Sequence, residues 1–197
     1  TIGFRITDAL VDPVGMTEKI HTERLVRMPR CAWCYEPDSV TPDVVPVPAL
    51  KKGRITFGCF NNMAKLNSAL FGMWAEILLQ VPESHLRLKA KTITDEGVKK
   101  ELKEYFTSKG IAEERLDFFG HTRKIHEHLN HYNEVDIALD SYPYHGTTTT
   151  CEALWMGCPV VTRSGTTHVS RVGVSLLNAV GLQEFICESA ESYIAKA

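Results

Sequence analysis

Apolar and polar positions fall into a rhythm only from Arg54 onward. Ile55 to Phe60 is a short β-prone run. Asn67 then stands where a helix N-cap belongs, and Leu70, Met73, Trp74, Ile77, Leu78 and Val81 follow at helical spacing until Pro82. His85 to Lys89 predicts a strand. Asp95 predicts the cap of a helix running to Lys109, with Gly110 as its C-terminal glycine. Leu116 to Phe119 predicts a strand, Lys124 to His131 a short helix, and Val135 to Leu139 a strand that is nearly all apolar. Thr149 to Met156 predicts a helix closed by Gly157, Pro159 to Thr162 a strand, and Ser170 to Ala179 a helix with Gly181 behind it. A last strand over Glu184–Cys187 and a helix over Ser189–Ala197 complete the pattern. Strands alternating with helices imply an α/β fold, a mostly parallel sheet with helices on both faces. Ligands of such folds bind outside the carboxyl ends of the strands. The loops of interest are therefore 58–67, 89–95, 119–124, 140–149 and 162–169.

The first 50 residues read differently. Six of the nine prolines lie there, at 13, 29, 37, 42, 46 and 48. The run from Pro42 to Pro48 excludes a helix, because proline lacks an N–H and pushes its predecessor into extended backbone. Residues 1–50 are thus expected to be an irregular lead-in or linker with one short helix near Thr17–Leu25. Residues 51–197 are expected to form the packed lobe.

Composition narrows the function classes. With 44% apolar and 23% charged residues, the chain has material for a core. A formal charge of −2 argues against a general nucleic-acid binder. No apolar run approaches the roughly 20 residues of a membrane span. Six scattered cysteines fit free thiols in a reducing cytoplasm. Cys31-Ala-Trp-Cys34 alone has metal-like spacing, and no second pair accompanies it. His121, His126, His128 and His131 cluster without a carboxylate pattern, so no metal site is expected.

The chemistry concentrates in Asp140-Ser-Tyr-Pro-Tyr-His-Gly-Thr-Thr-Thr-Thr-Cys-Glu152. Gly146 allows close backbone approach, and Thr147, Thr148, Thr149 and Thr150 open a helix whose free N–H groups and dipole favour an anion. A phosphate or diphosphate is the natural guest. Glu152 has two readings: the capping-box partner of Thr149, or an acceptor for a sugar's vicinal hydroxyls. Lys65, in the loop after the first strand of the lobe, either aims an ammonium at those phosphates or is a solvated surface lysine. Asn61 and Asn62 either bind a ligand or build an Asx turn. There is neither a GxGxxG nor a GxxxxGK[ST] sequence, which removes the dinucleotide fingerprint and the P-loop.

Taken together, Asp140 to Thr162, Ile55 to Lys65 and Ser170 to Leu177 resemble the hallmarks of the protein O-GlcNAc transferase family, the SPINDLY-like, tetratricopeptide-linked glycosyltransferases. Asp8 to Pro13 and Glu23 to Pro29 resemble bacterial members. The resemblance implies the C-terminal, Rossmann-like lobe of a B-type glycosyltransferase that transfers N-acetylglucosamine, with inversion, from UDP-GlcNAc to a Ser or Thr hydroxyl of a protein acceptor. It implies no metal. An N-terminal catalytic lobe and tetratricopeptide repeats would lie elsewhere in the polypeptide, and the isolated chain would transfer sugar poorly. By position, Lys65 neutralises the diphosphate beside Asn62, and Thr147, Thr148 and Thr149 hold it at the helix N-terminus. His128 stacks on uracil, Glu152 binds ribose, and Arg123 and Ile125 fall where backbone contacts to the base edge are made. Animal enzymes carry Lys, Arg, His and Asp where this chain has Ile125, His131, Thr147 and Glu152. The alternatives are a GDP-fucose-using relative, a different B-type enzyme such as a nucleotide-sugar epimerase, and a non-catalytic nucleotide-sugar or scaffold module.

Overall fold

A computed structural model describes residues 2–197. Six parallel strands form the main sheet: β3 (Thr56–Cys59), β4 (His85–Lys89), β5 (Leu116–Phe119), β6 (Ile137–Leu139), β7 (Val160–Arg163) and β8 (Ile186–Cys187). β1 (Phe4–Asp8) and β2 (Arg24–Met28) lie in the lead-in. The spatial order is β5-β4-β3-β6-β7-β8, which is the doubly wound arrangement. The chain first winds outward from β3 to β5, then returns beside β3 with β6 and winds the other way. The reversal falls between β3 and β6, so the loops after these two strands flank the crevice where such folds bind ligands.

The helices form where the sequence pattern predicts them. α2 (Ser68–Gln80) starts at Asn67, whose side-chain oxygen accepts from the Leu70 N–H at 3.0 Å. Its buried face carries Leu70, Met73, Trp74, Ile77 and Leu78. α3 (Glu96–Ser108) is capped by Asp95, which accepts from the Gly97 and Val98 amides, and Gly110 behind it takes a positive φ of 85°. α4 (Ile125–Asn130) is short. α5 (Thr148–Trp155), α6 (Val172–Ala179) and α7 (Ala190–Lys196) complete the layers. Trp74 donates to the Tyr193 hydroxyl at 3.2 Å, and Tyr193 in turn donates to the Asp140 carbonyl at 3.0 Å. A fully buried side chain of α7 thereby braces the start of the 140–147 loop.

The lead-in corrects the expectation of an irregular segment with a helix at Thr17–Leu25. Two strands, β1 (Phe4–Asp8) and β2 (Arg24–Met28), pair in parallel with Ile6 opposite Val26. Only a three-residue 3-10 turn, Glu18–Ile20, lies between them. A short helix, α1 (Pro48–Lys52), starts on Pro48, where a missing N–H costs nothing. Between Pro29 and Val47 there is neither helix nor strand, as the prolines require.

Candidate functional site

The crevice at the strand reversal is built on a buried carboxylate. Asp140 follows β6 and is 3% exposed. Its Oδ1 accepts from the Gly146 N–H at 2.7 Å and from Asn61 Nδ2 at 3.3 Å, and its Oδ2 accepts from Thr162 Oγ1 at 2.7 Å. One side chain therefore ties the loops after β3 and β6 to each other and to β7. Asn61 extends the network: Nδ2 also donates to Ser141 Oγ, and Oδ1 accepts from the Thr149 hydroxyl. A Cβ on Gly146 would lie 2.5 Å from Thr149 Oγ1, 2.7 Å from Thr150 Oγ1 and 2.9 Å from Asn61 Oδ1. The close approach that Gly146 permits is thus to its own neighbours.

This packing aims the start of α5 at the crevice. Thr147 is the N-cap residue, and no side chain caps the helix. The Thr149 hydroxyl is spent on Asn61, and the Thr148 side chain is exposed. The first-turn amides have no intrahelical acceptor, so this end of α5 presents free N–H groups and the positive end of the helix dipole.

Lys65 stands beside the same loop. Its Nζ donates to the His145 carbonyl at 2.7 Å and lies 4.1 Å from the centre of the Tyr144 ring. Burial pulls its ammonium below lysine's ordinary value, and the Asp140 carboxylate opposes that shift. Asn62 accepts from the Ala64 N–H, an Asx-type turn that sets up the 3-10 turn carrying Lys65. His145 is fully buried: Nε2 faces the Arg163 carbonyl at 2.8 Å and Nδ1 accepts from the Gly173 N–H at 3.0 Å. Both ring nitrogens are occupied by backbone, and the ring holds the loop in place.

A cleft of about 490 Å³ opens between α5 and the loops after β4 and β5. Asn62, Thr148, Thr149, Arg123, Ile125, His128 and Glu152 all line it. Seven of the ten residues singled out from sequence thus meet around one space. Lys65, Gly146 and Thr147 adjoin it in the chain but do not line it. Glu152 does not cap α5. Its Oε2 lies 3.0 Å from His128 Nε2 and 3.4 Å from the Tyr132 hydroxyl, which donates to the Thr149 carbonyl at 3.0 Å. Burial, then Glu152, pushes the Tyr132 phenol well above its ordinary range, so it remains a donor.

His128 touches a second partner. Lys89 Nζ lies 2.8 Å from Nδ1. An ammonium only donates, so Nδ1 accepts and Nε2 carries the hydrogen that Glu152 accepts. Lys89 and Tyr132 carry no motif and were not candidates from sequence. The His85-Leu-Arg-Leu-Lys89 alternation reads as a half-exposed strand, whereas α4 and its following turn cover that face. His131 is absent from the cleft and packs 4.9 Å from the Phe119 ring centre. Burial, with Lys89, Arg87 and His128 nearby, lowers its pKa to about 4. Among the described residues, no group of three or more His, Cys, Asp or Glu side chains could hold a metal ion. All six cysteines are free thiols.

The chain is similar over its whole length to the plant SPINDLY proteins, described as probable UDP-N-acetylglucosamine–peptide N-acetylglucosaminyltransferases. It is 42% identical to the tomato (Solanum lycopersicum) protein over 197 residues, and 41% identical to the Arabidopsis thaliana protein over 98% of the chain. It spans about a fifth of the length of these relatives, 21% in each case. A Thermobaculum terrenum O-GlcNAc transferase, solved as its K341M mutant, superimposes with a TM-score of 0.91 at 36% identity, covering 98% of this chain and 36% of that one. A sucrose-phosphate synthase from Thermosynechococcus elongatus shares the fold alone, with a TM-score of 0.57 at 11% identity. The fold is therefore the Rossmann-like lobe of B-type glycosyltransferases. The sequence profile of glycosyl transferase family 41 matches residues 47–197, and the chain belongs to that family.

Proposed function

We propose that this chain is the donor-binding lobe of an inverting transferase that moves N-acetylglucosamine from UDP-GlcNAc to a protein Ser or Thr hydroxyl. The observation that carries the reading is the cleft joining the uncapped N-terminus of α5 to the His128–Glu152 pair. A diphosphate has a place at the first end, and a nucleoside has room towards the second. Arg123, Ile125 and the backbone around them would frame the base, and the Glu152 carboxylate lies within the cleft to accept from ribose hydroxyls.

In the transfer, the acceptor oxygen bonds to the anomeric carbon from one face. The bond from that carbon to the diphosphate oxygen breaks on the other, and UDP leaves with the bonding electrons. Negative charge therefore grows on the diphosphate. Fixed donors stabilise it without reorganising. Here these are the α5 amides and the Lys65 ammonium, which moves from the His145 carbonyl to the anion. No metal or other cofactor enters this reading. The acceptor site, a second lobe and tetratricopeptide repeats belong to the rest of the polypeptide. A cytoplasmic setting accords with the free thiols. Among the described residues, no helix is long and apolar enough to cross a membrane.

Titration calorimetry with UDP and GDP tests the reading. UDP should bind, and Lys65→Ala or the Thr148→Ala/Thr149→Ala pair should weaken it about tenfold or more, the cost of a charge-assisted hydrogen bond. Absence of heat with either nucleotide would leave a scaffold module as the better description.

A further inference from the structure

Lys89 is the least expected group at the site. It ends β4, is only 4% exposed, and lines the cleft wall. Buried lysines need acceptors, and an ammonium has three N–H bonds to place. Among the described residues, Lys89 Nζ has one hydrogen-bond partner, His128 Nδ1 at 2.8 Å. Burial lowers its pKa, and the Glu152 carboxylate opposes this. Two donors are left over at the inner wall of a ligand-sized space.

The position of these donors identifies what they meet. β4 is separated from β6, the strand that leads into α5, by β3 alone. Neighbouring strands lie about 4.8 Å apart, so Lys89 stands about 10 Å across the sheet from the strand that feeds the diphosphate site. That is the reach from a diphosphate through ribose to a nucleobase. His128, which Lys89 touches, and the 121–125 loop line the same cleft. The His128 ring is itself anchored, since its other nitrogen is bound to Glu152 at 3.0 Å.

We infer that Lys89 is a specificity-determining residue, which donates to a keto oxygen of the donor nucleobase and discriminates against bases carrying an amino group at the corresponding position. The inference rests on the nucleotide-site reading above and deepens it. A fixed cation favours the exocyclic oxygen of uracil or guanine. It meets only N–H donors on the exocyclic nitrogen of cytosine or adenine and leaves its own donors unpaired there. His128 and Glu152 act as positioning residues that hold the ammonium in place.

The test compares UDP with CDP, and GDP with ADP, by calorimetry on the protein that carries this chain, wild type and Lys89→Met. In the wild type the keto member of each pair should bind about tenfold or more tightly, the value of a hydrogen bond to a charged group. In Lys89→Met that ratio should fall towards one, because the keto nucleotide alone loses a partner. If methionine at this site prevents folding, Lys89→Gln should show the same collapse, since its amide can turn either a donor or an acceptor to the base. A merely structural lysine would give parallel weakening of all four nucleotides with the ratio kept, and that result overturns the inference. If the wild type binds none of the four, the nucleotide-site reading itself falls. If it binds them without preference, only the role of Lys89 falls.

Discussion

A backbone N–H and three side-chain groups converge on Asp140 and Asn61, and the space left for residue 146 is set by them. Alanine there would put a Cβ 2.5 Å from Thr149 Oγ1 and 2.9 Å from Asn61 Oδ1. Neither atom is free to swing aside, since they bond each other and Asn61 also holds Asp140 and Ser141. Gly146→Ala should cost about 1–3 kcal/mol, the usual penalty of overpacking. It should also weaken UDP binding, because relief of the clash tilts the first turn of α5. A thermal melt and a UDP titration check both parts; an unchanged melting temperature would mean that the loop is looser than its hydrogen bonds imply. The motif was legible in the sequence because glycine and four threonines in a row exceed what a cap needs. The reason for the glycine was not legible, since Asn61 is distant in sequence and meets the loop only through the strand order. Lys89 was illegible for a related reason. Strand alternation separates two faces but does not say which one a later helix will cover.

Elements divide into those that only end and those that also hold the site, and their caps show the difference. Asp95 caps α3 at the surface, accepting from Gly97 at 2.9 Å and Val98 at 3.1 Å. Asn67 caps α2 through its oxygen, and its Nδ2 also donates to the Tyr142 carbonyl at 2.8 Å, within the loop that leads to α5. Asp95→Ala should cost about 1 kcal/mol, an ordinary cap, and leave nucleotide affinity unchanged. Asn67→Ala should cost more, since it also removes the tie to Tyr142, and should weaken UDP binding. Denaturant unfolding with calorimetry on both variants checks the contrast; equal effects on binding would refute the coupling. Both caps were readable in advance, as were the helices behind them, because a cap residue followed by helical spacing is a local signal. The strands of the lead-in were not. In β1, Phe4 and Ile6 point outward at 62% and 66% exposure, while Thr7 and Asp8 are buried, so the usual apolar-inward pattern is reversed. Their partner, β2, is parallel and supplied from well downstream, which no short window of sequence reveals.

For the whole molecule, the lead-in is tied to the lobe by buried polar groups rather than by a long element. Ser175 of α6 donates to Asp8 at 2.7 Å, and the Ala32 amide, within the lead-in itself, donates to the same carboxylate at 2.9 Å. Arg171 donates to the Leu10 carbonyl at 2.7 Å, and the His168 ring meets Asp12 Oδ2 at 2.8 Å. Asp12 is wholly buried. Burial pushes its carboxyl up, but hydrogen bonds from Thr7 and His168 outweigh this and hold its pKa at about 2, below the ordinary 3.8. The folded state therefore binds this proton less readily than the unfolded chain. The stability that follows is complete above the ordinary value and is lost as pH falls through about 2. A difference of this size is worth about 2 kcal/mol. Asp12→Asn should accordingly be about 2 kcal/mol less stable than the wild type at pH 5, with the gap closing between pH 4 and pH 2. Urea unfolding across that range measures it, and Trp33, whose ring lies 6.1 Å from that of His168, reports on the seam directly. Stability curves that stay parallel from pH 5 to pH 2 would show that the carboxylate contributes nothing to the junction.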